Sequence, residues 1–109
     1  MTRIPSKEEL DQAKDSRFSP EIHRKLKGAS VGIAGLGGLG SHIAVMLARC
    51  GIGHLHLIDF DRVDITNLNR QAYTTAHLGM KKTEALASIL YEINPYMQVT
   101  GDCVKVTGE

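Results

Sequence analysis

From Ala29 onward, short apolar runs alternate with longer stretches in which apolar residues recur every three or four positions. Ser30 to Ala34 (SVGIA) is an apolar run halted by a glycine cluster, the pattern of a buried parallel strand. Ser41 to Cys50 places Ile43, Leu47 and Cys50 on one helical face with Ala44 beside them, and Gly51 closes the helix. His54 to Ile58 reads as a second strand, ending in acidic residues at Asp59 and Asp61. Arg62 to Leu78 is polar without a sustained period and reads as a long functional loop with one turn of helix. Lys81 to Ile93 is amphipathic, with Ala85, Leu86, Ile89, Leu90 and Ile93 directed to a core, and Pro95 ends it. A third strand is expected over Met97 to Val106, with Val99, Cys103, Val104 and Val106 as its apolar positions.

Residues 1–27 differ from this pattern. Ser6-Lys-Glu-Glu9 is a capping-box sequence and predicts a helix over Lys7–Lys14. Ser19-Pro20 provides a second start, with Ile22 and Leu26 on one face and Gly28 as the stop. Residues 1–27 are therefore expected as a helical lead-in and residues 28–109 as a nucleotide-binding domain. Strand–helix–strand–loop–helix–strand predicts a parallel sheet with right-handed crossovers. The expected class is α/β: a Rossmann-like, three-layer fold, of which this is the N-terminal half of a doubly wound sheet preceded by short helices. A fourth strand is expected beyond Glu109, so the chain reads as part of a larger fold.

Composition narrows the function classes only slightly. With 109 residues and 42% hydrophobic content, one small domain with a core is expected. A net charge of +1 argues against non-specific nucleic-acid binding. Arg49 interrupts the best apolar stretch, so no membrane span is expected. Met1 to Leu10 lacks the apolar centre of a signal peptide. Cys50 and Cys103 form no CxxC pair, which fits a reducing cytoplasm.

The candidate chemistry begins at Gly35-Leu-Gly37-Gly38-Leu-Gly40, between the first strand and the first helix of the domain. Gly35 permits the sharp turn, Gly37 lets a phosphate approach the backbone, and Gly40 lets helix and strand pack closely. Amides at the helix start, with the helix dipole, favour an anion. Asp59 lies at the end of the second strand, where a carboxylate can accept hydrogen bonds from both hydroxyls of an adenosine ribose. Loop and carboxylate together point to an adenine nucleotide without choosing one.

The choice is made by Thr66-Asn67-Leu68-Asn69-Arg70-Gln71 and by Lys82. A dinucleotide pyrophosphate needs little beyond helix amides. A triphosphate attacked at its α-phosphorus develops extra negative charge, best met by fixed cations. Arg70 can hold phosphate oxygens bidentately and Lys82 supplies a point charge. Asn67 and Gln71 can orient ribose or phosphate oxygens.

The series Gly35-Leu-Gly-Gly-Leu-Gly-Ser41, Leu57-Ile-Asp-Phe-Asp61, Thr66-Asn-Leu-Asn-Arg-Gln71, Gly79-x-x-Lys82 and Ile93-Asn-Pro95 closely resembles the ThiF/MoeB/HesA family. These adenylyltransferases of thiamine and molybdopterin biosynthesis are related to ubiquitin-activating enzymes. The resemblance spans roughly Leu26 to Val106, and Ala48-Arg-Cys-Gly-Ile-Gly53 and Asn67 to Tyr73 are similar to the thiamine-type members. It implies that ATP and magnesium bind and that the C-terminal Gly-Gly carboxylate of a small sulfur-carrier protein of ubiquitin-like fold attacks the α-phosphate. An acyl-adenylate and pyrophosphate would result. By the same resemblance Gly35, Gly37, Gly38 and Gly40 line the phosphate loop and Asp59, with Asp61 near it, serves the ribose end. Asn67, Arg70, Gln71 and Lys82 contact ribose and phosphates, with Arg70 and Lys82 stabilising charge in transfer. A homodimer is also implied.

The sequence departs from the family in three ways. The family's magnesium-binding aspartate follows a fourth strand that this chain lacks. Its downstream cysteine and zinc-binding CxxC pairs are absent. Pro20 stands where a partner-reaching arginine is expected, leaving Arg17 or Arg24 as substitutes. No metal site is predicted from this chain's own residues, and His54 and His56 lack a third ligand. Cys50, Cys103, Met46, Leu47, Met80 and Leu86 are expected in the core, and His42 and Lys81 on the surface. An NAD(P)-dependent oxidoreductase domain and a non-catalytic dimerisation or carrier-docking module stand as alternative functions.

Overall fold

A computed structural model describes residues 4–17 and 19–105. Val106 and the side chain of Arg17 lie outside the described residues. Two helices come first, α1 (Lys7–Arg17) and α2 (Pro20–Lys27). Ser6 and Glu9 exchange reciprocal capping hydrogen bonds at 3.1 Å, as the capping-box sequence predicts. The Ser19 hydroxyl accepts the Ile22 amide at 3.2 Å with Pro20 at the first helical position. The inward residue of α2 is His23, however, while Ile22 is exposed. Asp11 of α1 links the helices, lying 2.7 Å from the Lys27 ammonium and 3.9 Å from His23 Nε2.

The domain then runs β1 (Ser30–Ala34), α3 (Gly38–Cys50), β2 (His54–Ile58), α4 (Lys82–Ile93) and β3 (Gln98–Asp102). The sheet is parallel in the order β1-β2-β3, with Ser30 opposite His54 and His54 opposite Gln98. Both crossovers step in the same direction. Right-handed connections therefore set α3 and α4 side by side on one face.

That face is the core. Leu55 and Leu57 of β2, Ala44 and Ala48 of α3, and Ala85, Leu86 and Leu90 of α4 are all fully buried. Each such leucine contributes about 1.5–3 kcal/mol by leaving water. The face α3 turns inward runs through Ser41, Ala44 and Ala48, with Ile43 and Leu47 at its margin. Small residues there bring the helix close to the strands, an effect that apolar periodicity does not display.

The opposite sheet face carries no helix among the described residues. Gly32, Ala34, Thr100 and Asp102 are exposed there, so β1 is buried on one side rather than both. His54 and His56 lie on this face and spend their ring nitrogens on a cross-strand ladder. His54 meets Ser30 Oγ at 2.9 Å and Thr100 Oγ1 at 2.8 Å. His56 meets Thr100 Oγ1 at 2.6 Å and the Asp102 carboxylate at 3.0 Å.

Three expectations fail, two at element edges and one on the outer side of α3. The helix expected from Ser41 begins at Gly38, because the loop's last glycines already take helical geometry. β3 stops at Asp102, leaving Cys103 and Val104 exposed rather than in the core. Met46 projects from α3 at 58% exposure instead of joining the core stripe. The long loop holds two short 3₁₀ turns, Ile65–Asn67 and Thr75–His77. No helix among the described residues is long and apolar enough to cross a membrane.

Candidate functional site

The C-terminal ends of β1 and β2 open where the chain turns into α3, and Gly35 to Gly40 fill that corner. Gly35 adopts φ 89°, a left-handed geometry that only glycine takes at little cost. Its amide donates to Ile58 O at 2.8 Å, fastening the turn to β2. A Cβ at Gly40 would fall 1.9 Å from Gly35 O, so the third glycine is required by backbone contact. Gly37 is the N-cap of α3, and no side chain caps that end among the described residues. The first-turn amides of α3 therefore lack a side-chain cap, and with the helix dipole such an end is suited to an anion.

Asp59 is 8% exposed and already holds the loop. Its Oδ2 accepts the Leu36 amide at 2.7 Å and its Oδ1 accepts the Asp61 amide at 2.9 Å. Each oxygen keeps acceptor capacity for a ligand hydroxyl. Asp61 itself is exposed at the mouth, and its carbonyl accepts the Lys82 amide at 2.9 Å, which ties the start of α4 to the end of β2.

The 66–73 segment closes over the glycine turn. The Arg70 stem lies against Gly38, its aliphatic carbons 3.8 and 3.9 Å from where a Cβ would stand. Among the described residues its guanidinium donates to Thr66 O at 3.2 Å, one bond for a group with five N–H donors. Gln71 is buried, with its amide nitrogen 3.8 Å from the equivalent point at Gly37. Gln71 Oε1 has no hydrogen-bond partner among the described residues. A buried amide oxygen left this way is an unmet acceptor beside the cradle.

Asn67 and Lys82 are both buried, at 8% and 6% exposure. Asn67 Oδ1 accepts the Asp64 amide at 2.9 Å, so its NH₂ is the end left to donate. Asp64 caps this turn in return, accepting Thr66 N–H at 2.7 Å and the Thr66 hydroxyl at 2.5 Å. Those bonds, and beyond them the positive charges of Lys82 and Arg70, hold the Asp64 carboxyl below its ordinary value. Lys81, expected on the surface, is half-buried, and its backbone pairs antiparallel with that of Arg62 in an isolated β-bridge.

Periodicity does not reveal Ser41, His42 or Tyr73. Ser41 is fully buried, with its hydroxyl accepting the Ala72 amide at 3.2 Å. The exposed His42 puts Nε2 2.9 Å from Arg70 O, where a carbonyl requires the nitrogen to donate. Tyr73 donates its hydroxyl to Leu36 O at 2.7 Å. Burial, and secondarily the Asp59 charge, push its phenol well above 10.0, so it stays a donor. Asp64 was legible in principle, because Asp64-Ile-Thr66-Asn67 is a capping sequence.

No group of three His, Cys, Asp or Glu side chains among the described residues is arranged to hold a metal. Asp59 accepts two backbone amides, one of them that of the neighbouring Asp61. These residues do not build a magnesium site of their own, although magnesium commonly binds through substrate phosphates with few protein ligands.

A family model for the ThiF family matches residues 11–109. Ubiquitin-like modifier-activating enzyme 5 of Caenorhabditis elegans is 42% identical over 77 residues, which cover 71% of this chain and 18% of that protein. Its namesake in Arabidopsis thaliana is 41% identical over 85 residues, 78% of this chain and 20% of its own length. Among solved structures, E. coli tRNA N6-threonylcarbamoyladenosine dehydratase, TcdA, in complex with ATP has a TM-score of 0.87 at 32% identity. That likeness covers 96% of this chain and 44% of the other. E. coli MccB with ATP has a TM-score of 0.76 at 38% identity, over 79% of this chain and 26% of the other. The chain spans about a fifth of the length of the curated relatives it matches. With its Rossmann-like α/β fold and a family match running from Asp11 to Glu109, the chain belongs to the ThiF family.

Proposed function

We propose that this chain is the nucleotide-binding part of an ATP-dependent adenylyltransferase that activates the C-terminal carboxylate of a small ubiquitin-like carrier protein. The observation that carries this reading is the placement of Arg70 against Gly38, over an uncapped helix start, with Asp59 beside the same turn. An anion cradle, a fixed cation and a ribose-type carboxylate meet at one corner. The ATP complexes of TcdA and MccB, and the names of the modifier-activating enzymes, support the same choice.

In this reading Asp59 accepts from the ribose hydroxyls, and the amides around Gly35, Gly37, Gly38 and Gly40 receive phosphate oxygens. Asn67 donates its NH₂, and Gln71 offers its unmet amide oxygen to a ligand donor. Asp61 stands at the ribose end of the mouth. A carrier carboxylate oxygen forms a bond to the α-phosphorus while the bond to the β-phosphate oxygen breaks and pyrophosphate departs. Arg70 and Lys82 offset the charge that grows on the α-phosphate oxygens and the leaving group. Positioning and electrostatics would supply most of the rate. Magnesium bound with the triphosphate would supply further neutralisation of phosphate charge.

A sulfur carrier of the thiamine-type pathway is the finer reading, resting on Ala48 to Gly53 and Asn67 to Tyr73. A cytoplasmic homodimer belongs to the same reading. Titration of the chain with ATP and with NAD tests the nucleotide. ATP binding without NAD binding is expected, and the reverse result would sink the adenylation reading. Arg70→Ala should weaken ATP binding about tenfold with little change in thermal stability. Unchanged affinity would remove Arg70 from the site. On the full-length gene product, pyrophosphate exchange dependent on a carrier protein is the expected activity.

A further inference from the structure

The segment Arg70–Tyr73 has no helix or strand to hold it, yet it carries Arg70 and Gln71 over the cradle. One backbone bond, Gln71 N–H to Asn67 O at 3.0 Å, ties it to the turn before it. Among the described residues, three side-chain bonds attach it to the glycine turn and the start of α3. His42 Nε2 donates to Arg70 O at 2.9 Å, Ala72 N–H donates to Ser41 Oγ at 3.2 Å, and Tyr73 Oη donates to Leu36 O at 2.7 Å. Ser41 and His42 belong to the first turns of α3, whose start forms the cradle itself.

Leu36 is gripped from both sides. Its amide is held by Asp59 and its carbonyl by Tyr73. The phenol is 3% exposed and its ring meets His77 edge-on at 6.2 Å, so it has little room to swing away. Glycine turn, ribose carboxylate and arginine segment are thereby joined through the backbone of one residue, Leu36. The Arg70 stem rests on Gly38, so the bond that holds its carbonyl near α3 also fixes where the guanidinium starts from.

We propose that His42 and Tyr73 are positioning residues that lock the 70–73 segment onto the glycine turn, so that Arg70 is aimed at the phosphate cradle before the ligand arrives. Neither touches the ligand. They act by removing the ordering cost that a loose arginine segment would meet on binding. The inference rests on the nucleotide reading of the site.

ATP binding by the full 109-residue chain tests it through a double-mutant cycle. Wild type, His42→Ala, Tyr73→Phe, Arg70→Ala and each pairing with Arg70→Ala are titrated with ATP, with thermal unfolding as a parallel measurement. His42→Ala and Tyr73→Phe should each weaken ATP binding roughly fivefold alone, the effect of one lost hydrogen bond. In the Arg70→Ala background neither should add more than a small further loss. His42→Gln, whose amide N–H can reach the same carbonyl, should recover most of the affinity. His42 is exposed, so its variants keep the test open if Tyr73→Phe folds poorly. Additive losses would show general loosening and overturn the proposal, as would unchanged ATP affinity in His42→Ala and Tyr73→Phe. A wild-type chain that binds no ATP would instead defeat the underlying nucleotide reading, and this inference with it.

Discussion

A methyl group at position 40 would sit 1.9 Å from Gly35 O, and one at position 53 would sit 1.9 Å from Lys27 O. Both contacts are with backbone, which cannot swing aside as a side chain can. The two glycines make a matched pair, because only Gly40 belongs to the cradle. Gly40→Ala and Gly53→Ala should each lose about 1–3 kcal/mol of stability, the usual cost of overpacking. Only Gly40→Ala should also weaken ATP binding at temperatures where both variants remain folded. Equal loss of affinity in the two would mean that the glycine turn matters for folding alone. The spacing of Gly35, Gly37 and Gly40 was readable from the chain because a strand-to-helix turn is built from neighbours. The second use of Asp59, gripping Leu36 across 23 positions, was not.

Among the elements, β2 shows most directly how one strand serves two surfaces. Leu55 and Leu57 enter the core under α3 and α4, whereas His54 and His56 build a polar ladder on the other side. Leu57→Ala should cost about 2–5 kcal/mol in urea unfolding, from lost burial and the cavity left behind. His56→Ala removes partly exposed bonds and should cost no more than about 1 kcal/mol. A comparable loss from both would contradict the one-sided core. The boundaries of β1, β2 and α4 were largely legible, since each has a clear apolar period and a glycine, acidic or proline stop. α3 was misjudged on its inner face. Alanine and serine carry little hydrophobic signal, and their smallness is what lets the helix approach the sheet. β3 was drawn too long, since Cys103 and Val104 continue an apolar pattern that no helix covers.

At the scale of the whole molecule, charge ties the lead-in helices together and stiffens the site loop. Asp11 has its carboxyl held below 3.8 chiefly by its hydrogen bond to the Lys27 ammonium. Asp64 is held below 3.8 by Thr66. A carboxyl depressed in the folded state adds stability above its unfolded value, and that stability fades as pH falls through the folded value. Unfolding midpoints should therefore drop as the pH is lowered below about 4, and Asp11→Asn should flatten part of that decline. Asp11 is only partly buried and bonds to an exposed lysine, so the change should be modest and weaker in high salt. An acid limb identical in wild type and Asp11→Asn would show that this pair contributes nothing.

The amino-acid sequence by itself determined the order of elements, the parallel α/β class, the glycine turn and the set of polar residues from Asn67 to Lys82. Each of these depends on residues close together in the chain, where period, caps and turn chemistry act directly. Tertiary structure alone decided which of those residues meet. It placed the Arg70 stem on Gly38, buried Lys82 and Asn67, left Gln71 Oε1 unmet, and brought Tyr73 to Leu36 across 37 positions. Such contacts are set by how two crossovers stack their helices against one sheet face, and hydrogen bonds between distant loops leave no periodic trace in the sequence.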